Sequence, residues 1–143
     1  MSETNNEPVL FGAEHVRVYQ ETGGAQGHHW IRGTTVLLLT TTGRVSGEER
    51  TTPLIYRYID GTYIVVASAG GAETHPDWYL NLQAEPHARV QVGADSYDVA
   101  ARTATRDERP HLWQAMAEAW PDYDNYAEKT RRTIPIVALE PTN

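Results

Sequence analysis

Cysteine is absent from the sequence, which excludes disulfide frameworks, thiolate metal sites and thiol chemistry. Lysine is nearly absent: Lys129 stands alone among the basic residues, and the rest are arginines. Genomic bias explains such an excess, and so does a need for the planar guanidinium fork that suits phosphate and carboxylate. Positive charge is scarce as a whole, with 12 Lys and Arg against 19 Asp and Glu. No basic face is visible, so nucleic acid is not an expected partner. No apolar run approaches ~18 residues, so no transmembrane segment is expected. The opening MSETNNEP has neither the basic nor the apolar region of a signal peptide, and the cytoplasm is the expected location. No H-E-x-x-H, G-x-S-x-G or Walker loop occurs, so neither a zincin, a hydrolase elbow nor a P-loop is indicated. His28 and His29 are adjacent, and His15, His87 and His111 lack convergent partners in the sequence. No metal site is expected. His75 reads as a turn residue, or as a ligand contact at the start of a helix.

What is present fits a single domain. The chain has 143 residues, enough to bury roughly 70% of its unfolded surface. Residues 1–8 are polar and are expected to be a disordered tail, leaving 9–143 as the domain. Phe11, Val16, Val18 and Tyr19 give weak support to a short helix. ETGGAQGHH reads as a flexible connector, or as a loop that orders on binding. TTVLLLTTT reads as a strand buried on both faces. PLIYRYI and TYIVVAS flank Asp60-Gly61, the pair suited to a type I′ hairpin turn. HPDWYLNLQAEP reads as a helix capped by Thr74, opened by Pro76 and stopped by Pro86. ARVQV and SYDVAARTA form a second hairpin. Thr105 and Glu108 make a capping box ahead of a helix with a Leu112, Met116, Ala119 stripe. Pro121 interrupts it before a short helix over 122–130. IPIVALE is the last strand, at an edge or with its start fixed by Pro135. Six strands joined by hairpins rather than by β-α-β crossovers predict an α+β fold on an antiparallel sheet or barrel.

The stretch TTTGRVSGEERTTPLIY sets Arg44 and Arg50 near an apolar strand. Counting outward from the Asp60-Gly61 turn brings Pro53 opposite Ser68. That register places the two arginines beside Ser68, Gly70-Gly71 and the helix start near Pro76. Glycines allow close backbone approach, and a helix N-terminus offers free N–H groups. The set reads as a cradle for phosphate or carboxylate, with an ordinary solvated turn as the alternative and Glu48 and Glu49 opposing a strongly positive site. Trp78 and Tyr79 follow, as ring-stacking residues or as core. Tyr123 and Tyr126 are three apart on a helix, so both can face one cavity or pack on the sheet.

The ordered motifs TTTGR-x-SG-x-x-R-x-x-PL, DG-x-Y-x-VVAS-x-GG, HP-x-WY-x-NL-x-A-x-P, WPDYDNY and TIPIVALEP resemble the deazaflavin (coenzyme F420)-dependent nitroreductase family of actinobacteria, over about residues 30 to 141. The resemblance implies a split β-barrel of the flavin mononucleotide (FMN)-binding kind and a reductase. It would transfer a hydride from reduced F420 to an activated C=C bond, a quinone or a nitro compound. It further implies that Arg44, Ser46 and Arg50 hold the coenzyme's phosphate and acidic tail. Thr52, Pro53, Leu54, Ile55, Ala67 and Ser68, with Ala69 and Gly70, would line the ring. Asp77, Trp78 and Asn81 belong to the segment that closes over it. Trp120, Tyr123 and Tyr126 lie toward the substrate, with Ile55 on the pocket wall and Tyr123 also near the coenzyme. Ser68 and Tyr126 are the candidate proton relays. Val45 and Ala69 stand where family members often carry lysine, which removes cations from the anion site. FMN is the alternative cofactor, and a non-catalytic cofactor- or lipid-binding module is the alternative function. The expected partner is a small electron acceptor, and the expected assembly a monomer or homodimer.

Overall fold

The computed structural model describes residues 9–142; the expected N-terminal tail lies outside them. Seven strands form one antiparallel sheet: β1 Val36–Thr42, β2 Glu49–Ile55, β3 Arg57–Ile59, β4 Thr62–Val66, β5 His87–Val92, β6 Asp95–Thr103 and β7 Ile136–Pro141, in the order β2-β1-β5-β6-β7-β4-β3. Four helices surround it: α1 Gly12–Thr22, α2 Asp77–Ala84, α3 Arg109–Ala119 and α4 Asp122–Lys129. The α+β expectation is met.

The two ends of the strand order, β2 and β3, are consecutive in the chain and separated only by Tyr56. One extended segment therefore serves both edges, and the sheet curls to bring them together. Asp60 and Gly61 both have positive φ (51° and 80°), as the type I′ turn requires. The register next to it is the expected one, Ile59 with Thr62 and Tyr58 with Tyr63. It does not extend to Pro53 and Ser68. Past Tyr56 the chain changes partner, and Pro53 pairs with Leu38 on β1. The segment read as one strand is two, which is why there are seven strands rather than six. The gap where β2 has left β4 is the split of the barrel.

Strand alternation builds the core in layers. Leu37 and Leu39 of β1, Tyr63 and Val65 of β4, and Val137 and Leu139 of β7 point into the barrel with Trp78, Tyr79 and Leu82 of α2. Their neighbours point outward: Ile64, Val66, Ile136 and Ala138 meet Leu112, Met116 and Tyr123 of α3 and α4, and Val36 and Leu38 meet Tyr19 of α1. Burying each large apolar side chain is worth about 1.5–3 kcal/mol. β7 lies between β6 and β4, so Pro135 fixes its start rather than marking an edge.

The connector after α1 is a packed turn. Tyr19 is fully buried, and its hydroxyl donates to the Val36 carbonyl at 2.9 Å and accepts the Gly93 N–H at 2.8 Å. Gly24 lies against Gly93. Helix α2 has Pro76 at its N-cap and no side-chain cap, so Thr74 does not cap it. The Thr105–Glu108 box does form: Thr105 N–H donates to Glu108 Oε1 at 2.8 Å and Glu108 N–H to Thr105 Oγ1 at 3.3 Å. Arg102 donates to both Glu108 oxygens at 2.7 and 2.9 Å. These bonds, Arg102 first and the Thr105 N–H second, hold the carboxyl down at about 2. A depressed carboxyl stabilises the fold above its unfolded value and loses that contribution as pH falls toward the folded one. Glu108→Gln should therefore lower the melting temperature at neutral pH. The gap to the unsubstituted protein should narrow below the ordinary value of 4.5 and close near 2, read by thermal denaturation across acid pH.

Candidate functional site

The arginines lie in a groove of about 690 Å³ between the β1–β2 loop and α2. That loop closes on itself, Gly43 N–H donating to Glu48 O at 2.7 Å and Gly47 N–H to Gly43 O at 2.8 Å. The Arg44 guanidinium is spanned to α2: Nη1 donates to Asn81 Oδ1 at 2.8 Å, and Nη2 pairs with Asp77 at 3.2 Å. Asn81 is buried, and its amide donates to Thr41 Oγ1 at 3.2 Å. Arg50 belongs to β2, opposite Thr41. It is exposed and, among the described residues, in no ion pair, while the nearby Glu49 is drawn to Arg89 at 3.6 Å. Glu49 and Asp77 are thus each matched by an arginine, and Arg50 is the groove's unmatched charge. Ser46 and Thr52 also line the groove. The tip residue Val45 is 92% exposed.

Ser68, Ala69 and Gly70 do not share that groove. They line an adjoining cavity of about 280 Å³ in the barrel split, facing Pro53, Leu54 and Ile55. The expected single patch is two compartments, because the chain changes partner at Tyr56. They meet at Trp78, which borders both. Tyr79 belongs to the core. Ala67 is fully buried and lines neither compartment.

Arg132 holds the 67–75 segment. Its guanidinium donates to the carbonyls of Ser68 at 2.7 Å, Ala72 at 2.8 Å and Ala67 at 3.3 Å, and to His75 Nδ1 at 2.9 Å. Burial first and Arg132 second push the His75 imidazole down, and His75 lines neither compartment. Ala69 has a positive φ of 47°. A Cβ on Gly71 would come within 2.9 Å of the Tyr126 carbonyl, so the segment is pressed onto α4.

Trp120, Tyr123 and Tyr126 line the same cavity. Trp120 Nε1 donates to the Tyr126 hydroxyl at 3.3 Å. Burial pushes the Tyr123 phenol well up, with Tyr126 adding to it, so Tyr123 stays protonated. Four lining residues were not anticipated from sequence: His15 of α1, Trp30, Val36 and Val66. Trp30 stacks on Trp120 with ring centres 6.0 Å apart at 22°, and Arg32 covers Trp120 at 4.3 Å while pairing with Asp122 at 3.2 Å. These contacts join segments about ninety residues apart, and no local pattern signals them. The adjacent His28 bonds the Tyr56 hydroxyl at 2.8 Å.

A family model described as F420H(2)-dependent quinone reductase matches residues 12–141. The chain belongs to this family. The match takes in α1, which the motif resemblance left out. The F420H(2)-dependent quinone reductase Rv1261c of Mycobacterium tuberculosis is 37% identical over 128 residues, covering 87% of this chain and 86% of its own. A solved F420-H2-dependent reductase, FDR-A, is 42% identical with a TM-score of 0.68 over 73% of this chain and 93% of its own. Another solved relative, described as a domain-swapped dimer, is 38% identical with a TM-score of 0.71, covering 87% and 92%. The family is one of oxidoreductases on a split barrel. The heme storage protein HutZ of Vibrio cholerae, 13% identical with a TM-score of 0.59 over 94% and 92% of the two chains, shares the fold alone. Among the described residues no helix is long and apolar enough to cross a membrane.

Proposed function

We propose that this chain binds reduced coenzyme F420 across the two compartments and reduces a quinone in the split cavity. The observation that carries this reading is the junction at Trp78, where a groove holding the unmatched charge of Arg50 opens into a cavity walled by aromatic rings. A molecule with an anionic tail and a flat ring fits both at once. In this reading Arg50, with Arg44 and Ser46, holds the phosphate and acidic arm. Asp77 and Asn81 act on Arg44, fixing its guanidinium rather than meeting the ligand. Thr52 leads from the groove toward Pro53, Leu54 and Ile55, which line one side of the ring site. Ser68, Ala69 and Gly70 line the other, on a segment whose carbonyls Arg132 holds. Trp120, Tyr123 and Tyr126 receive the acceptor, with the Ser68 and Tyr126 hydroxyls available to bond its oxygens.

When bound, the reduced deazaflavin supplies a hydride. The protein's task is to hold ring and acceptor in reacting geometry and exclude water, a positioning effect. Lining the cavity with Trp and Tyr rather than charges favours a flat, neutral acceptor. Fluorescence titration of the purified protein with F420 and with FMN, side by side, tests the reading. F420 should bind more tightly, and its reduced form should be oxidised by menadione. Tighter FMN binding, or F420 binding without turnover of menadione, an unsaturated lactone or a nitroaromatic compound, overturns it.

A further inference from the structure

We propose that His15 bonds the reacting oxygen of the quinone and delivers the proton its reduction consumes. This rests on the quinone-reductase reading and deepens it. The His15 side chain is 2% exposed, yet its ring lines the split cavity beside Trp30, Val36 and Ile55. Nε2 lies 2.9 Å from the Gly27 carbonyl oxygen. A carbonyl only accepts, so Nε2 carries the hydrogen. Gly27, at φ +105°, has no Cβ to interfere; one built there would stand 3.2 Å from Nε2 and Cδ2. The tautomer is thereby fixed, and in the neutral ring Nδ1 is an acceptor.

Among the described residues Nδ1 has no hydrogen-bond partner. No sealed side-chain nitrogen or oxygen among them lacks one, so Nδ1 is not sealed, and the split cavity is a compartment that His15 lines. A quinone carbonyl accepts only, and pairs with Nδ1 when the ring is an imidazolium. A hydroquinone hydroxyl donates, and pairs with Nδ1 when the ring is neutral. The two pairs differ by one proton moved along one hydrogen bond. Reduction of a quinone to its hydroquinone adds a hydride and a proton. The hydride brings both electrons and is the contribution of the reduced coenzyme. The proton leaves Nδ1 as the N–H bond breaks and the new O–H bond forms, and solvent reprotonates the ring after product leaves. Among the described residues no carboxylate lines the cavity. The negative charge that pairs with an imidazolium there is the one that develops on the quinone oxygen. The hydroxyls of Ser68, Tyr123 and Tyr126 can pass a proton but cannot store one as a cation; imidazole is the side chain suited to both.

The contact can be read without coenzyme. In slightly alkaline buffer 1-naphthol, a stable stand-in for the hydroquinone hydroxyl, should bind roughly five- to tenfold more tightly than 1-methoxynaphthalene, which cannot donate. Its addition should move the Nδ1 signal of His15 in the ¹⁵N NMR spectrum. His15→Phe should abolish the preference between the two ligands, while His15→Gln keeps an N–H for the Gly27 carbonyl and reports on folding. With F420 present, both variants should lower kcat for menadione about a hundredfold, with KM changing far less. An unmoved Nδ1 signal in the unsubstituted protein, or a naphthol preference that survives in His15→Gln and His15→Phe, overturns the proposal even if a variant folds poorly. F420 binding with no naphthol preference would remove His15 and leave the reductase reading standing. Naphthol preference without F420 binding would do the reverse to the reductase reading and strip His15 of its proton role.

Discussion

Gly24→Ala is expected to cost about 3 kcal/mol of stability, and the neighbouring Gly23→Ala about 1 kcal/mol. Both glycines have positive φ, 59° at Gly23 and 80° at Gly24, so both substitutions carry the left-handed penalty of an L-residue. Space separates them. A Cβ on Gly23 would touch the Ala94 Cβ at 3.6 Å, an ordinary contact. A Cβ on Gly24 would stand 2.5 Å from Gly93 Cα and 2.9 Å from its carbonyl carbon. These are backbone atoms of the β5–β6 turn and cannot swing aside. The helix would have to lift, and Tyr19 would lose its bonds to the Gly93 N–H and the Val36 carbonyl. Since α1 also carries His15, the cavity wall would shift with it. Urea unfolding of the two variants is the measurement, and equal losses at both positions would refute the packing account of this turn.

Arg50→Ala should weaken F420 binding about 10- to 100-fold, the equivalent of the roughly 1.5–3 kcal/mol of a charge-assisted contact, and leave the melting temperature unchanged. The side chain is exposed and, among the described residues, unpaired, so the folded protein loses nothing with it. The loss should also shrink at high salt, since an exposed charge is screened. Arg44→Ala should behave differently. Arg44 bonds Asn81 and Asp77, so its removal should weaken the coenzyme and also lower stability by loosening the loop from α2. Fluorescence titration and thermal melts on both variants separate the two roles. Unchanged affinity in Arg50→Ala would take the anionic arm out of the groove. The loop offers no substitute cation at Val45, and Ala69 contributes none from the other side.

Much of the site was legible because its residues sit on strong local signals. Arg44 and Arg50 flank a glycine-punctuated loop, Trp78 sits in the first turn of a proline-opened helix, and Tyr123 and Tyr126 share a helix face; each lines a compartment. The reasoning that joined them was less sound. Hairpin counting placed Pro53 against Ser68 through a ladder that stops at Arg57. The two segments face each other across the split cavity instead. A strand that changes partner leaves no mark in sequence, since extended backbone looks alike on either side of Tyr56. The glycines after α1 have a linker's composition, and only the backbone of a distant turn shows why they are glycines.

Local chemistry in the chain determined the turn at Asp60-Gly61, the Thr105–Glu108 box and the alternating strands, because each depends on neighbours a few residues away, and composition alone excluded cysteine chemistry. Tertiary structure alone decided that one extended segment serves both edges of the sheet, that the arginine groove and the aromatic cavity are separate and meet at Trp78, and that His15 and Trp30 line that cavity. Those outcomes rest on contacts between segments tens of residues apart, where packing rather than propensity selects the partner.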